Sequence, residues 1–506
     1  MLRVADCKAW LIPRRFRGAC SPQPVTPLNM AWIDMDPMTL AQVSEACGGR
    51  LLRGDPARRV HRVCTDTRAI LPQDLFIALR GLRFDGHSFL EAAVRAGAEA
   101  AVVEAACEEG APPGIALIGV QDTRASLGQL AGHCRRGLNA TCVAVAGSNG
   151  KTSTKELLAS VLAQQGRTHA SAASFNNDVG VPLTLLGADA SHRYVVAEAG
   201  SNHPGELAPL LQWIQPQHGI LTSIGREHLE FFGSLEGVIE EESQLAAALP
   251  EEGLLVMPGG VPGEALIRKR SRARVVTAGL EEGCDWAGKV VRQDWGGTEF
   301  VVAAPRARYS GTYQIPLLGK QQAGNAIRVV ALAAQLGLEP EAIRRGLAAS
   351  AGAPMRMEPR MRGGLRILND AYNANPDSMA AALDVFRELP VEGKRVAVLG
   401  DMAELGVHSD GLHAEAGRKS AESRLDWLVG VGEGGKELAL AAGQAGGIGR
   451  VDWVNGTEAA AGLLNASLVA GDAVLLKGSR RMRLEKLAEV LTTGEVAVGK
   501  EASIRG

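Results

Sequence analysis

The sequence predicts an α/β protein composed of several domains, and three observations support this prediction. The chain has 506 residues, which is more than one ordinary hydrophobic core accommodates. Short apolar runs alternate with amphipathic helical patterns and are followed by glycines, as in parallel sheets covered by helices. One of these runs, at 143–146, leads into a glycine-rich loop and then a helix. That order of elements is typical of a phosphate-binding domain.

Residues 1–35 are expected to be a disordered extension or the product of a mis-assigned start. The segment is rich in basic residues and contains several prolines. No apolar run follows the Arg14-Arg15 pair, so a twin-arginine export signal is not expected. Met30 and Met35 are the alternative start positions, and a transit peptide is the other interpretation of this segment.

The section 36–137 is predicted to be a small α/β domain. Strands are expected at 60–68, where the run ends in a polar turn, at 76–79 and at 101–103. A helix is expected at 89–97.

The section 138–318 is predicted to be a second α/β domain, built on a parallel sheet. It begins with the apolar run at 143–146, and further strands are expected at 193–198 and 219–224. A loop and a helical pattern follow each of them. Ligands of such sheets bind beyond the carboxyl ends of the strands, so functional residues are expected there.

The section 319–506 is predicted to be a third α/β domain with a doubly wound parallel sheet. Its strands are expected at 395–399, 427–431 and 473–477. Glycines follow these strands and apolar helices lie between them.

Composition excludes several classes of partner. The formal net charge of −2 gives no electrostatic reason to expect nucleic acid. No apolar run approaches the roughly 18 residues that a membrane-spanning helix requires, so membrane insertion is not expected. The eight cysteines lack C-x-x-C pairs, so reduced core thiols are expected rather than disulfides or zinc ligands. This favours a cytoplasmic protein.

The loop after the strand at 143–146 is predicted to bind the phosphates of a nucleoside triphosphate. Its glycines let backbone N–H groups approach an anion, and the helix N-terminus adds positive potential. Lys151 would neutralise phosphate charge, and the hydroxyl of Thr152 can hold Mg²⁺. The spacing differs from the common Walker A form, which requires a glycine where this chain has Val145. The predicted ATP-binding residues of the loop are Gly147, Ser148, Asn149, Gly150, Lys151 and Thr152.

Two residues at predicted strand ends are candidate metal ligands. Glu198 closes the strand at 193–198, and His228 follows the strand at 219–224. A lone histidine is more often a core or surface group. Together with Thr152, however, these side chains can surround a Mg²⁺ ion that bridges nucleotide phosphates.

The helical pattern after Gly233 contains an acid in an unusual place. At 100° per residue, Glu242 falls at the centre of the apolar stripe, whereas Glu240 and Glu241 fall on its flanks and are expected in solvent. An acid in a buried face is costly unless it is paired or bound to a metal. Glu242 is therefore predicted to be functional.

Three further polar segments remain ambiguous from the residues alone. The turn that contains Asn176 and Asn177 either caps a helix or lines a substrate pocket, and spacing does not decide between the two. Arg356 and the segment that begins at Asp370 could reach phosphate and ribose from the third section, or could be surface loops.

These motifs together resemble the Mur ligase family, the ATP-dependent amide ligases of peptidoglycan synthesis. The resemblance covers nearly everything after residue 38. It rests on T-D-T-R (65–68), A-L-R-G-L-R-F-D-G-H (78–87), G-S-N-G-K-T (147–152), F-N-N-D-V-G-V-P (175–182), A-E-A-G-S-N-H-P-G-E (197–206), E-H-L-E-F-F-G-S (227–234), D-A-Y-N-A-N-P-D-S-M (370–379), G-D-M-A-E-L-G (400–406) and K-G-S-R (477–480). N-A-N-P and G-D-M-A-E-L-G point to the members that join D-alanyl-D-alanine to UDP-N-acetylmuramoyl-tripeptide.

The resemblance implies three domains and a set of residue roles. The first domain would bind the UDP end of the substrate, the central one is a P-loop ATPase, and the third is Rossmann-like and closes over the nucleotide. ATP and Mg²⁺ are the implied cofactors, and a monomer is expected. The implied site residues are Thr65, Asp66 and Arg68 for the UDP substrate, Asn176, Asn177, Asn373 and Asn375 for the rest of the substrate, and Asn325, Arg356 and Asp370 for adenine, phosphate and ribose. Lys151, Glu198, His228 and Glu242 are the implied catalytic residues.

The chain departs from the family pattern at three places. Family members usually carry a lysine, modified by CO₂ to a carbamate, at the position of Glu242, so this acid is a candidate built-in substitute. Gly319-Lys320-Gln321-Gln322 and Met355 also differ from the usual residues, which puts the finer nucleotide contacts in question. The alternatives are a Mur-type or folylpolyglutamate synthase-like ligase with another acceptor, and a nucleotide-binding relative without catalysis.

Overall fold

A computed structural model describes residues 32–81 and 84–493 of the chain. Most of the extension predicted at 1–35 lies outside these residues. Residues 32–35 do not belong to an extension, because they form the start of a strand. Trp32 pairs with Cys64 of a neighbouring strand, and the guanidinium of Arg62 lies 4.6 Å from the centre of its ring.

The first sheet has six strands in the order β1-β3-β4-β5-β6-β2. Its central strands are parallel, whereas the edge strands β1 and β2 pair antiparallel with their neighbours. The predicted strands and helix of this section are confirmed, and three more strands accompany them. The strands are β1 (Trp32–Thr39), β2 (Arg50–Arg53), β3 (Arg59–Cys64), β4 (Leu75–Ile77), β5 (Ala100–Glu104) and β6 (Ala116–Val120), and the helices are α1 (Leu40–Ala46), α2 (Leu90–Ala96) and α3 (Thr123–Arg136).

The second sheet has nine strands in the order β15-β14-β13-β12-β11-β10-β7-β9-β8. The strands from β8 to β13 along this order are parallel, and β13, β14 and β15 continue the sheet as an antiparallel meander. The strands are β7 (Thr141–Ala146), β8 (Thr168–Ala170), β9 (Tyr194–Glu198), β10 (His218–Leu221), β11 (Leu254–Met257), β12 (Arg274–Gly279), β13 (Trp286–Asp294), β14 (Gly297–Ala303) and β15 (Gly311–Ile315).

Within the described part of the chain, nine helices accompany this sheet. They are α4 (Lys151–Leu162), α5 (Gly180–Leu186), α6 (Leu207–Ile214), α7 (Leu229–Phe232), α8 (Leu235–Glu242), α9 (Gln244–Ala248), α10 (Glu264–Arg270), α11 (Lys320–Gln335) and α12 (Pro340–Ala348). The single helix expected after Gly233 is thus divided into α8 and α9, and the short helix α7 precedes that glycine.

The packing of α11 and α12 does not match the predicted boundary at 318–319. Apolar residues of both helices share one hydrophobic cluster with β7, β10 and the antiparallel strands of the central sheet. The sequence pattern did not show this, because an amphipathic helix can cover either of two neighbouring sheets. We propose the boundary between the central and third domains at 349–354 instead.

The third sheet has six strands in the order β16-β17-β21-β18-β19-β20. All neighbouring strands are parallel except β16 and β17, so the predicted doubly wound sheet is confirmed. The strands are β16 (Glu358–Arg362), β17 (Leu365–Asp370), β18 (Arg395–Gly400), β19 (Trp427–Val431), β20 (Arg450–Val454) and β21 (Ala473–Lys477), and the helices are α13 (Pro376–Glu388), α14 (Ser409–Ala421), α15 (Gly432–Ala445), α16 (Thr457–Asn465) and α17 (Glu485–Thr493).

The predicted α/β class and the three-domain organisation are confirmed by these three sheets. Among the residues that the structure describes, no helix is both long and apolar enough to span a bilayer. The carboxyl ends of β7, β9 and β10 open onto the third domain, near the ends of β17 and β21. Parallel sheets bind ligands at such ends, so the candidate site lies between the two domains.

Candidate active site

The loop between β7 and α4 has the shape that phosphate binding requires. Gly147 and Gly150 have φ angles of 121° and 89°, in the left-handed region that side chains disfavour. A Cβ atom on Gly147 would lie 2.4 Å from Thr222 Oγ1, and one on Gly150 would lie 2.7 Å from Asn325 Nδ2. Only glycine fits at these two positions, and the loop leads directly into the N-terminus of α4.

Lys151 folds back over this loop. Its ammonium donates hydrogen bonds to the carbonyl oxygens of Gly147, at 2.5 Å, and Ser148, at 3.2 Å. The carboxylate of Glu227 lies 3.8 Å away and is buried. The positive charge is therefore held over the position where the loop would cradle an anion.

Glu198 ends β9 beside Thr152. One of its carboxylate oxygens accepts hydrogen bonds from the Thr152 hydroxyl, at 3.2 Å, and from the Asn176 amide, at 3.0 Å. The other oxygen, Oε2, is buried and accepts no hydrogen bond from any residue that the structure describes. A buried carboxylate oxygen without a partner is costly, so this atom suits a cation.

His228 connects the central domain to the third domain. Its Nδ1 is hydrogen-bonded to the carboxylate of Glu404, and this bond lowers the pKa of Glu404 below its usual value. Its Nε2 lies 3.8 Å from the carboxylate of Glu227. The residue itself has a φ of 48°, so the chain turns sharply at this point.

Glu242 lies at the end of α8 with 2% of its surface exposed, as the apolar stripe predicted. Burial raises the pKa of its carboxyl group to about 8, which the nearby Lys151 opposes and the acids Glu227 and Glu241 reinforce. Within 32–81 and 84–493, no residue donates a hydrogen bond to its Oε2 atom. Glu242 therefore supplies a second unpartnered carboxylate oxygen near the phosphate-binding loop.

The prediction that Glu241 lies in solvent is wrong. Its carboxylate accepts hydrogen bonds from the backbone N–H groups of Gly205 and Leu207, both at 2.7 Å, and caps the start of α6. The flank of α8 that carries Glu241 thus faces a neighbouring helix. Glu240 is exposed as predicted and pairs with Arg270.

Two sets of oxygen donors fit the ligand chemistry of Mg²⁺. The first set is Glu198 together with Thr152, and the second is Glu242. That ion prefers carboxylate and hydroxyl oxygens, and both acids present a buried oxygen that no described residue contacts by a hydrogen bond. The Nε2 atom of His228, which lies 3.8 Å from the Glu227 carboxylate, is the fourth candidate donor. The fit of the site to Mg²⁺ depends on the carboxylate and hydroxyl oxygens.

Arg356 of the third domain reaches across to the central domain. Its guanidinium lies 4.0 Å from the ring centre of Tyr372 and donates a hydrogen bond to Thr152 Oγ1, at 3.3 Å. The planar group is therefore held beside the loop that would bind phosphate.

Asp370, at the end of β17, is held by two donors. The ammonium of Lys477 lies 2.6 Å from one carboxylate oxygen, and the backbone N–H of Met357 lies 3.0 Å from the other. Lys477 also donates a hydrogen bond to the carbonyl oxygen of Asn373, at 3.0 Å, and is buried. Lys477 thus fixes the segment that the N-A-N-P motif occupies.

Asn375 joins this segment to the phosphate-binding loop. Its side chain caps the start of α13 and donates a hydrogen bond to Asn149 Oδ1, at 3.0 Å. On the other side of the loop, Asn325 accepts a hydrogen bond from Arg328, at 2.7 Å, and donates one to Gln322, at 3.1 Å. Gly150 therefore lies beside α11 of its own domain, and Asn149 contacts the third domain.

A cleft of about 1160 Å³ lies between the central and third domains. Most of the predicted site residues line it, namely Ser148, Asn149, Gly150, Lys151, Asn176, Glu198, His228, Asn325, Arg356, Asp370, Asn373 and Asn375. Gly147 and Thr152 adjoin these residues through the contacts above, and Glu242 lies buried behind them.

Besides Gly147, Thr152 and Glu242, four predicted residues do not line the cleft in the part of the chain that the structure describes. Thr65, Asp66 and Arg68 follow β3 in the first domain, where the Arg68 guanidinium lowers the pKa of the Asp66 carboxyl group. Asn177 accepts a hydrogen bond from the N–H of Gly180, at 2.9 Å, at the start of α5. This hydrogen bond corresponds to the helix-capping interpretation of the turn, one of the two that the sequence left open.

Sequence reasoning missed several residues of the cleft. Glu227, Glu404, Lys477 and Tyr372 belong to motifs that were recognised, but no role followed from their spacing. The pairs they form join residues far apart in the chain, such as His228 with Glu404, which are 176 positions apart.

Comparisons with known proteins agree with this arrangement. The Mur ligase middle domain matches residues 145–333, the Mur ligase glutamate ligase domain matches 355–480, and the Mur ligase family catalytic domain matches 59–135. The UDP-N-acetylmuramoyl-tripeptide–D-alanyl-D-alanine ligase of Bacillus subtilis is 34% identical over 90% of this chain and 98% of its own length. The enzyme of the same name from Escherichia coli is also 34% identical, over 90% of this chain and 98% of its own length.

Solved structures give the same result. A crystal structure of MurF from Acinetobacter baumannii has a TM-score of 0.82 and 31% identity, and the match covers 91% of this chain and all of that one (100%). A structure of MurF ligase from Thermotoga maritima in complex with ADP has a TM-score of 0.73 and 25% identity, over 85% of this chain and 96% of that one.

Proposed function

This chain belongs to the Mur ligase family, and on that basis we propose that it joins D-alanyl-D-alanine to UDP-N-acetylmuramoyl-tripeptide in an ATP-dependent reaction of peptidoglycan precursor synthesis. Relatives that carry this name match 90% of the chain at 34% identity. The structural observation that carries the proposal is the cleft in which Lys151, Glu198 and Arg356 meet. Cation, carboxylate and guanidinium are the groups that a phosphoryl transfer requires.

The proposed reaction has two steps. A carboxylate is a poor acylating agent, so its oxygen first attacks the γ-phosphorus of ATP to give an acyl phosphate and ADP. The amine of D-alanyl-D-alanine then attacks the acyl carbon, an amide forms and phosphate leaves. Lys151 and Arg356 stabilise the negative charge of the transferring group, and contact between the two domains keeps water from the acyl phosphate.

Mg²⁺ is proposed to be held by Thr152, Glu198 and His228, and Glu242 is proposed to help hold a second Mg²⁺ ion. When bound, the ion neutralises charge on the nucleotide phosphates. The two buried carboxylate oxygens without partners support this assignment. Glu242 is proposed to take the place of a carbamylated lysine, so the reaction would not depend on bicarbonate.

The nucleotide is proposed to lie between the central and third domains. Asn325, beside Gly150, would contact adenine, Arg356 would contact phosphate, and Asp370, oriented by Lys477, would contact ribose. Asn176, Asn373 and Asn375 would face the substrate or the loop. Asn177 is proposed to act only indirectly, through the helix that it caps.

Thr65, Asp66 and Arg68 are proposed to bind the UDP end of the substrate on the first domain. These residues follow a strand of the first sheet, whereas the cleft residues belong to the other two sheets. This separation suits a long substrate, whose UDP and peptide ends contact different domains. The protein is proposed to be a monomer. It is proposed to act in the cytoplasm, since every proposed substrate is a soluble nucleotide or peptide.

One experiment separates this function from its alternatives. Phosphate release from ATP and Mg²⁺ is measured across a grid of UDP-muramyl peptides and amine acceptors, without added bicarbonate. We expect release only with UDP-N-acetylmuramoyl-tripeptide and D-alanyl-D-alanine together. Release with another acceptor would place the chain elsewhere among the ligases. No release with any pair, while ATP still binds, would identify a non-catalytic relative.

A further inference from the structure

Four consecutive residues after β10 contact two different domains in alternation. Gly225 accepts and donates hydrogen bonds with the hydroxyl of Ser148, at 3.4 Å and 2.9 Å, and Glu227 lies 3.8 Å from the ammonium of Lys151. The other two residues, Arg226 and His228, contact the third domain. We name residues 225–228 the coupling segment.

Arg226 makes the largest number of these interdomain bonds. Its guanidinium binds Asp377 of α13, with Nε–Oδ1 and Nη2–Oδ1 distances of 3.0 Å and 2.8 Å, and its backbone N–H donates to Asp377 Oδ2 at 2.7 Å. Both terminal nitrogens also bind the carboxylate of Glu415 on α14, each at 3.0 Å. Such two-pronged contacts fix both position and orientation of the partner.

The geometry gives these bonds a specific consequence. Asp377 lies in the first turn of α13, whose cap, Asn375, binds Asn149 of the phosphate-binding loop. The hydrogen bonds to Glu415 and Asp377 raise the pKa of Arg226 above its usual value, against the opposing effect of burial. The side chain therefore stays charged at every pH at which the protein folds.

We propose that Arg226 is a positioning residue of the ligase reaction: it docks the third domain on the coupling segment and so holds Lys151 and His228 in their working positions. The proposal rests on the proposed ligase function. In the proposed reaction, Arg226 itself touches no reacting atom. The side chains of Arg226, Asp377 and Glu415 are between 33% and 49% exposed, so the docking is reversible and sensitive to salt.

The first test compares Arg226→Gln with Arg292→Gln, which removes an exposed arginine paired with Asp294 within the central domain. We expect kcat of Arg226→Gln to fall about tenfold, with the melting temperature nearly unchanged. The control should retain wild-type kcat. High salt should lower kcat of the wild type toward that of Arg226→Gln and change the variant little. Equal kcat and equal salt response in both variants would overturn the proposal.

The second test exchanges the charges. Glu415 does not line the cleft among the described residues, so its substitution leaves the reacting groups in place. Arg226→Glu should lower kcat further than Arg226→Gln, and the addition of Glu415→Arg should restore part of it, although Glu415→Arg alone is harmful. Additive losses would mean that the contact between Arg226 and Glu415 does not account for the effect on kcat, and this outcome would also overturn the proposal.

A third readout does not depend on turnover. Small-angle scattering of the full chain with ATP should give a larger radius of gyration for Arg226→Gln than for Arg292→Gln, because the third domain is docked for a smaller fraction of the time. If the wild type releases no phosphate with any substrate, the proposed function fails, whereas this comparison still decides whether Arg226 docks the domain. Identical radii would contradict the docking role.

Discussion

At the residue scale, the cleft contains several buried charged groups of both signs, which lie around the phosphate-binding loop. Lys151 lies between the loop carbonyls and Glu227, and Glu198 and Glu242 each retain one oxygen without a partner among the described residues. Such groups are costly unless a ligand completes them. We therefore expect substitutions of these buried charged residues to lower turnover most.

Replacement of Lys151 by alanine should lower kcat by about a hundredfold or more, because its charge is proposed to stabilise the transferring phosphoryl group. Among the described residues, the side chain bonds only to its own loop and to Glu227, so the fold should persist. Phosphate release and the melting temperature are the measurements. Lys269→Ala, on the exposed side of α10, is the control. Near-wild-type turnover of Lys151→Ala would refute its assigned role.

Replacement of Glu242 by glutamine should also abolish most turnover, by about a hundredfold, because an amide cannot supply the charge that a metal ligand provides. Turnover of the wild type should be the same with and without bicarbonate. Glu240→Gln is the matched control, since Glu240 is exposed on the same helix. Full activity of Glu242→Gln would show that this acid does not replace a carbamylated lysine.

At the element scale, each functional side chain is placed by the end of a strand or the start of a helix. The loop after β7 needs glycine at 147 and 150 because the chain turns through positive φ next to Thr222 and Asn325. The sheet behind it also holds ionisable groups. His169 on β8 packs under α5, where its Nε2 lies 2.8 Å from Thr184 O.

The central sheet should be sensitive to acid through His169. Burial, assisted by the neighbouring His192, lowers the pKa of His169 below its usual 6.5. A histidine with a lowered folded-state pKa stabilises the protein above the unfolded value, and that stability is lost as pH falls below about 6.5.

Calorimetry at pH 7 and pH 5 tests this expectation. The melting temperature of His169→Gln should fall less between these pH values than that of the wild type. His61→Gln, an exposed site on the first sheet, should behave like the wild type. An equal fall in all three proteins would mean that His169 does not account for acid sensitivity.

At the scale of the whole molecule, the site exists only where two domains meet. The phosphate-binding loop comes from the central domain, whereas Arg356, Asp370 and Lys477 come from the third domain. Closure of such a junction assembles the reacting groups and excludes water. ATP should therefore be held by both domains at once.

Arg356→Ala should weaken ATP binding by roughly tenfold or more, because the guanidinium reaches Thr152 from the other domain. The increase in melting temperature that ATP and Mg²⁺ cause should shrink accordingly. Arg360→Ala is the control, since Arg360 pairs with Glu358 on β16 outside the cleft. An unchanged thermal shift in Arg356→Ala would mean that the third domain does not contribute to nucleotide binding.

The sequence alone determined the features that depend on neighbouring residues. The phosphate-binding loop was predictable because strand, glycines, Lys151 and Thr152 are contiguous. The position of Glu198 and His228 in the cleft was predictable because strand ends meet at one sheet edge, and the burial of Glu242 followed from helical periodicity.

Only the tertiary structure decided the contacts between distant segments. It buried Glu241 against α6, assigned α11 and α12 to the central sheet, and paired Lys477 with Asp370 across 107 positions. It also placed Arg226 on Asp377, 151 positions away. Local periodicity shows which face of an element is apolar, but not which neighbour covers it. That choice is made by the packing of all three domains, which no single segment encodes.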